Sequence, residues 1–192
     1  MKQLRLVLAS KSPRRKELLQ LLGLPFEVIV SEEEEIITST NPAKVTEELA
    51  CQKAAAVADL LDGGIVIGAD TVVAADGKIL GKPKDRAEAR AMITMLQARS
   101  HMVYTGVCLV DSADREHSLC FHTGTKVNVA PMTEEEVEEY IRTEEPYDKA
   151  GGYGIQGLFA KYIEGVEGDY FTVVGLPVHA LYEALKVFAK RP

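Results

Sequence analysis

The chain alternates short apolar blocks with polar breaks marked by Gly, Pro, Asn or Asp, and the period of the apolar positions changes from block to block. Leu4, Leu6, Val7, Leu8 and Ala9 form a nearly continuous apolar run, which predicts a short buried strand. Ser12-Pro13 then places a hydroxyl at an N-cap and a proline at the first helical position, and Gly23 supplies a stop. Residues 26–30 predict a second strand. Asn41-Pro42 repeats the cap-plus-proline start and opens a long helix to about Leu61, with Val45, Leu49, Ala56 and Leu60 as its apolar stripe. Lys53 falls inside that stripe, so it either snorkels past the core edge or faces a site. Residues 65–75 are the strongest strand, bounded by Gly63-Gly64 and by the hairpin signal Asp76-Gly77. The chain returns through Lys78, Ile79 and Leu80.

Asp85 can cap a helix to about Gln97. Residues 101–110 and 117–129 predict an antiparallel pair joined around 111–114. Thr133 and Glu136 form a capping box for a helix to Arg142. Beyond a loop at 145–157, two short strands are expected around 159–163 and 170–174. Pro177 opens a final amphipathic helix along Val178, Leu181, Leu185 and Phe188. This order predicts an α/β protein with a mixed sheet and α+β character, because the regular βαβ alternation of a doubly wound fold is missing. The 192 residues read as a single domain without a separable linker or internal repeat, long enough to bury a sizeable core.

Charge narrows the function. The net charge is −7, which argues against nucleic acid or an anionic membrane surface as a partner, since both need a basic face. Cys51, Cys108 and Cys120 lack CxxC spacing and are odd in number. They read as buried thiols in a reducing compartment rather than as a disulfide framework. With no signal peptide, lipidation motif or long apolar stretch evident, the expected location is cytoplasmic.

Against this acidic background, Arg14, Arg15 and Lys16 stand in the first turn of the first helix. Cations there oppose the helix dipole, where free N–H groups already attract anions. The arrangement suits a phosphate or carboxylate; the alternative is a basic turn docked on a nearby acidic one. Gly152-Tyr-Gly154-Ile-Gln-Gly157 matches the dinucleotide fingerprint in letters only, because it follows a helix and loop rather than a strand. Its glycines can still wrap a ligand closely. Walker A, HExxH and GxSxG patterns are missing. What remains is a set of polar residues in unusual places: the basic helix start, Lys53, Asp70 inside an apolar strand, and Lys82 before a proline. Together they suit polyanion chemistry with a divalent metal: cations hold phosphates, and carboxylates hold Mg²⁺ and activate water. Asp70 could equally be tied in a structural ion pair with Lys53 or Lys82.

Six motifs, in order and in register from Leu8 to Pro177, carry a resemblance. They are Ser10-Lys-Ser-Pro-Arg-Arg15, Gly68-Ala-Asp-Thr71, Gly81-Lys-Pro83, Asp148-Lys-Ala-Gly151, Tyr153-Gly-Ile-Gln-Gly157 and Val174-Gly-Leu-Pro177. The chain resembles the Maf (septum formation) family of nucleoside triphosphate pyrophosphatases. The resemblance implies a long mixed sheet in two lobes around a central cleft, similar to inosine triphosphate pyrophosphatases. It implies hydrolysis of a nucleoside triphosphate to monophosphate and pyrophosphate with Mg²⁺ or Mn²⁺. By resemblance, Asp70 is the general base, and Ser10, Arg15, Lys53 and Lys82 contact phosphates. Glu34 and Asp70 are the implied metal ligands. Arg14, Thr71 and Gln156 match the branch acting on dTTP and UTP rather than the one preferring 7-methyl-GTP. A Gln amide offers a donor and an acceptor, which can pair with O4 and N3–H of uracil or thymine. The family's historical name leaves a second reading open, a non-catalytic nucleotide-binding regulator of division. The oligomeric state is open too, a homodimer included.

Overall fold

The structure is a computed structural model in which residues 5–30, 32 and 35–190 are described. Glu34 and Leu4, both singled out by the sequence, lie outside the described residues. The chain runs β1 (Leu6–Ala9), α1 (Pro13–Gln20), β2 (Phe26–Val28), α2 (Pro42–Ala58), β3 (Ile65–Ala75), β4 (Lys78–Leu80), α3 (Arg86–Leu96), β5 (Ser100–Asp111), β6 (Asp114–Val129), α4 (Glu134–Ile141), β7 (Ile163–Glu167), α5 (Tyr170–Val174) and α6 (Val178–Phe188). Strand order is β2-β1-β3-β5-β6-β7, with β4 paired to β3. β1 is parallel to β2 and β3, whereas β4 runs antiparallel to β3 and β7 antiparallel to β6, so the sheet is mixed. Among the described residues no helix is long and apolar enough to cross a membrane.

The chain divides into two compact units. The first comprises the described parts of Met1–Asp70, Thr105–Thr123 and Gly175–Pro192. All four residues of β1 are buried, as a parallel strand covered on both faces requires. Its core gathers Val7, Ala9, Ala50, Ala54, Val57, Ala58, Val66, Cys108 and Val110. The alanines on α2 allow a close approach, and two glycines complete it. A Cβ on Gly68 would fall 2.1 Å from the Ala50 carbonyl oxygen, and one on Gly106 would fall 2.3 Å from the Thr46 carbonyl. The helix backbone therefore rests directly on β3 and β5. α2 ends at Ala58 rather than near Leu61, so Leu60 lies past the last turn and is 65% exposed instead of lining the stripe.

The second unit comprises Thr71–Tyr104 and Gly124–Val174. The β3–β4 hairpin turns through Asp76 and Gly77, with φ of 50° and 72°, the left-handed pair that a tight hairpin demands. α3 starts on the Asp85 carboxylate, which accepts from Glu88 N at 2.8 Å, and α4 starts on the expected Thr133–Glu136 capping box. Val73, Ile93, Leu96, Val103, Val127, Ile141 and Phe159 lie in its core. Phe159 is ringed by Tyr140, Tyr153 and Tyr162, with centroids 5.0, 4.9 and 5.5 Å away.

Both short strands expected late in the chain differ in the structure. Residues Leu158–Tyr162 form a 3-10 turn that buries Phe159, and the strand is β7 (Ile163–Glu167) just after it. Tyr170–Val174 is helical although its composition favours a strand. The cause is local: Asp169 accepts from Thr172 N at 2.7 Å and Phe171 N at 3.3 Å, capping a helical turn that outweighs side-chain preference.

Candidate active site

In the first unit, the basic helix start is built as the sequence predicts. Ser12 is the N-cap, with its side chain accepting from Arg15 N, and Pro13 occupies the first turn. Ser10 is buried, and its hydroxyl oxygen accepts from Ser12 N at 3.2 Å and from Arg15 Nη1 at 3.4 Å. Arg15 Nε donates to the Gly175 carbonyl at 2.9 Å. This clamp fixes the plane of the guanidinium, and a planar fork of donors recognises phosphate well. Burial lowers the Arg15 pKa, Asp70 and Glu35 oppose that shift, and Arg14 adds to it. Arg14 is half-buried beside it. Lys11, by contrast, pairs at 2.7 Å with Glu32 in an exposed bridge. Docking of the basic turn on acidic residues therefore involves Lys11, whereas Arg15 turns inward.

Asp70 comes from β3, and its side chain is 14% exposed. Lys53 Nζ donates to Asp70 Oδ1 and stands 3.0 Å from Glu35 Oε1. The lysine in the apolar stripe does not snorkel to bulk water; it bridges two carboxylates, and its pair with Asp70 is one of the two ion pairs that the sequence left open for that residue. The close seat of α2 on Gly68 accounts for this. Ala50 and Ala54 touch the Gly68 position, Lys53 lies between them on the same helix, and Asp70 stands two residues along the same strand. Glu35 is the residue that sequence reasoning missed, because a run of four glutamates gives no register. Gly175 stood in the Val174-Gly-Leu-Pro177 motif, but its role was missed, since a backbone carbonyl has no side-chain signature.

The second unit carries the remaining candidates. Lys82 is exposed, next to buried Pro83. The Gly81 carbonyl accepts from Gly151 N at 3.0 Å, and a Cβ on Gly152 would meet the Pro83 ring at 3.6 Å. Thus the Gly-Lys-Pro turn is docked on the glycine loop. Gly151 and Gly152 hold φ of 70° and 74°, which that loop path requires. Gln156 is exposed in the turn closed by Gly157 N donating to the Gly154 carbonyl at 3.1 Å. Thr71 is half-buried on β3. Glu145, also missed, organises the loop: its carboxylate accepts from Leu158 N at 2.6 Å, Phe159 N at 3.3 Å and Tyr140 Oη at 3.1 Å. A Cβ on Gly157 would sit 2.3 Å from that carboxylate, which explains the glycine after Gln156. The dinucleotide fingerprint is excluded by context, for a 3-10 turn follows it and no strand leads into it.

Comparison with known proteins places the chain in a family. A Bacillus cytotoxicus protein named dTTP/UTP pyrophosphatase is 51% identical over 183 residues, covering 95% of this chain and 94% of that relative. A Bacillus cereus protein of the same name is 47% identical over 185 residues, covering 96% of this chain and 95% of the relative. The solved structure of the Staphylococcus aureus Ham1 protein shares the fold, with a TM-score of 0.50 at 16% identity over 83% of this chain and 79% of that one. The model of the Maf-like protein family matches residues 5–188, so the motifs, the mixed sheet and the cationic helix start have one explanation: the chain belongs to the Maf-like protein family.

Proposed function

We propose that the protein hydrolyses dTTP and UTP to the nucleoside monophosphate and pyrophosphate, with Asp70 as the general base. The observation that carries this reading is the Asp70 carboxylate on β3 held by Lys53, with Arg15 close enough for its charge to respond to Asp70. Relatives at 51% and 47% identity bear the name dTTP/UTP pyrophosphatase, which supports the same substrates here. In the reaction, the attacking water gives its proton to Asp70 as the α–β phosphoanhydride bond breaks and pyrophosphate leaves. Arg15, Ser10, Lys53 and Lys82 bind the phosphate oxygens, and Arg14, Thr71 and Gln156 select the base.

Asp70 and Glu35 both direct carboxylate oxygens at Lys53 Nζ, a hard-oxygen donor set that fits Mg²⁺ or Mn²⁺. Such an ion neutralises charge on the triphosphate and lowers the pKa of water when bound. A purely regulatory nucleotide-binding role leaves Asp70 only its ion pair with Lys53, since binding phosphates does not call for a carboxylate among the cations. The test is pyrophosphate release from dTTP and UTP by wild type and by Asp70→Asn. The variant retains nucleotide binding and loses about 10²–10⁴-fold in kcat, the usual worth of a positioned base. Retention of more than about a tenth of wild-type kcat makes Asp70 structural and refutes the mechanism.

A further inference from the structure

The three cysteines, far apart in sequence, converge in the first unit. Cys51 comes from α2, Cys108 from β5 and Cys120 from β6, and their sulfurs all lie within 4.8 Å of one another. Cys51 Sγ and Cys120 Sγ are 2.8 Å apart. Of the three thiols expected to be buried, only Cys108 is; Cys51 is half-buried and Cys120 exposed, because β6 carries Cys120 on its outward side. We propose that Cys51, Cys108 and Cys120 form a soft-metal site that takes one Zn²⁺ or a similar thiophilic cation.

Zn–S bonds of about 2.3 Å in tetrahedral geometry place sulfurs somewhat under 4 Å apart, a separation between the 2.8 Å of the Cys51–Cys120 pair and the 4.8 Å that bounds the cluster, so small side-chain rotations bring the three thiols to it. The surrounding groups fit as well. On α2, Glu47 lies one turn before Cys51 and shares its face; on β6, His122 is two residues past Cys120 and also shares its face. Cys120 Sγ contacts the Glu47 carbonyl oxygen at 3.6 Å, and the Glu47 carboxylate is held by His122 Nδ1 at 2.7 Å and Lys44 Nζ at 2.7 Å. These groups form a polar surround for the sulfurs, of the kind that orients metal ligands. Cys120, at the surface, gives an entry path, and the fourth ligand comes from solvent. Thiolates prefer Zn²⁺ or Cu⁺ to Mg²⁺, so this site does not compete for the ion of the triphosphate reaction. A filled site ties α2, β5 and β6 together. A Cys51–Cys120 disulfide is the rival use of the same sulfurs, but it leaves Cys108 without a role.

The test uses the full chain, metal-free and kept reduced. Zn²⁺ is titrated against a chromophoric chelator, and Co²⁺ is added separately to look for thiolate-to-metal charge-transfer absorption. Wild type binds one equivalent of Zn²⁺, shows the cobalt–thiolate band and melts at a higher temperature when loaded. Cys51→Ser and Cys120→Ser, with circular dichroism confirming that each is folded, lose the band and weaken Zn²⁺ by more than about 100-fold, the upper end of what losing an outer-shell partner costs. Failure of reduced wild type to bind one equivalent, or unchanged binding in both variants, overturns the proposal. A Cys51–Cys120 disulfide found by peptide mapping without reductant, with no Zn²⁺ uptake after reduction, overturns it in favour of redox chemistry.

Discussion

Gly68→Ala tests whether the seat of α2 positions the catalytic pair. The added Cβ would meet the Ala50 carbonyl oxygen at 2.1 Å, the Ala54 Cβ at 2.9 Å and Ala54 N at 2.9 Å. Two of these atoms are helix backbone, so rotamer changes cannot relieve the clash and the helix must retreat, by roughly 1 Å to restore ordinary contact. Overpacking of this kind costs about 1–3 kcal/mol, or about 2–4 °C of melting temperature per kcal/mol for a chain of this size. Because Lys53 sits between Ala50 and Ala54, the same displacement carries its ammonium away from Asp70. A misplacement of about 1 Å can reduce turnover about 100-fold without touching a reacting group. The assay pairs thermal melting with pyrophosphate release from UTP. Gly165→Ala is the control, because a Cβ there meets nothing within 4 Å. Wild-type melting and wild-type kcat in Gly68→Ala together would refute the argument; a lowered melting temperature with unchanged kcat would separate stability from positioning and remove Gly68 from catalysis.

Three further outcomes are expected. Arg15→Ala lowers kcat/KM for dTTP and UTP alike, by roughly 10–100-fold, the worth of a charge-assisted hydrogen bond; a loss confined to one base contradicts phosphate binding. Gln156→Ala narrows the gap between UTP and GTP or 7-methyl-GTP more than it slows the poor substrates, since an unpaired edge is what rejects the wrong base; an unchanged ranking of kcat/KM removes Gln156 from base choice. Burial pushes His101 from an ordinary 6.5 down to about 4, and its Nδ1 has no hydrogen-bond partner among the described residues while Nε2 meets Tyr153 Oη at 2.6 Å. The unfolded chain therefore takes up a proton below about pH 6.5 that the folded chain refuses, so stability is full above that pH and falls by about 3 kcal/mol towards pH 4. Melting of His101→Gln against wild type at pH 7 and pH 4.5 checks this, because the variant loses less stability on acidification.

The sequence by itself determined most helix starts and the tight hairpin, features that one or two turns of chain can enforce. Ser12-Pro13, Asn41-Pro42, Asp85 and Thr133 mark the helix starts because their caps need only residues three or four positions away. Asp76-Gly77 marks the hairpin because only a left-handed pair closes it. Asp70 and Lys53 stood out as charges in apolar patterns, which is a local signal as well. Tertiary structure alone decided what those charges meet. Lys53 bridges Asp70 and Glu35 because Gly68 lets a distant helix rest on β3, and no spacing along the chain encodes that approach. The 170–174 segment shows the reverse case, where a single capping aspartate outweighed the strand preference of five residues. The cysteines make the clearest division. Their spacing reads as three unrelated thiols, and only the packing of α2 against β5 and β6 brings the sulfurs within reach of one ion, because burial of apolar faces fixes which side chains meet without regard to separation in sequence.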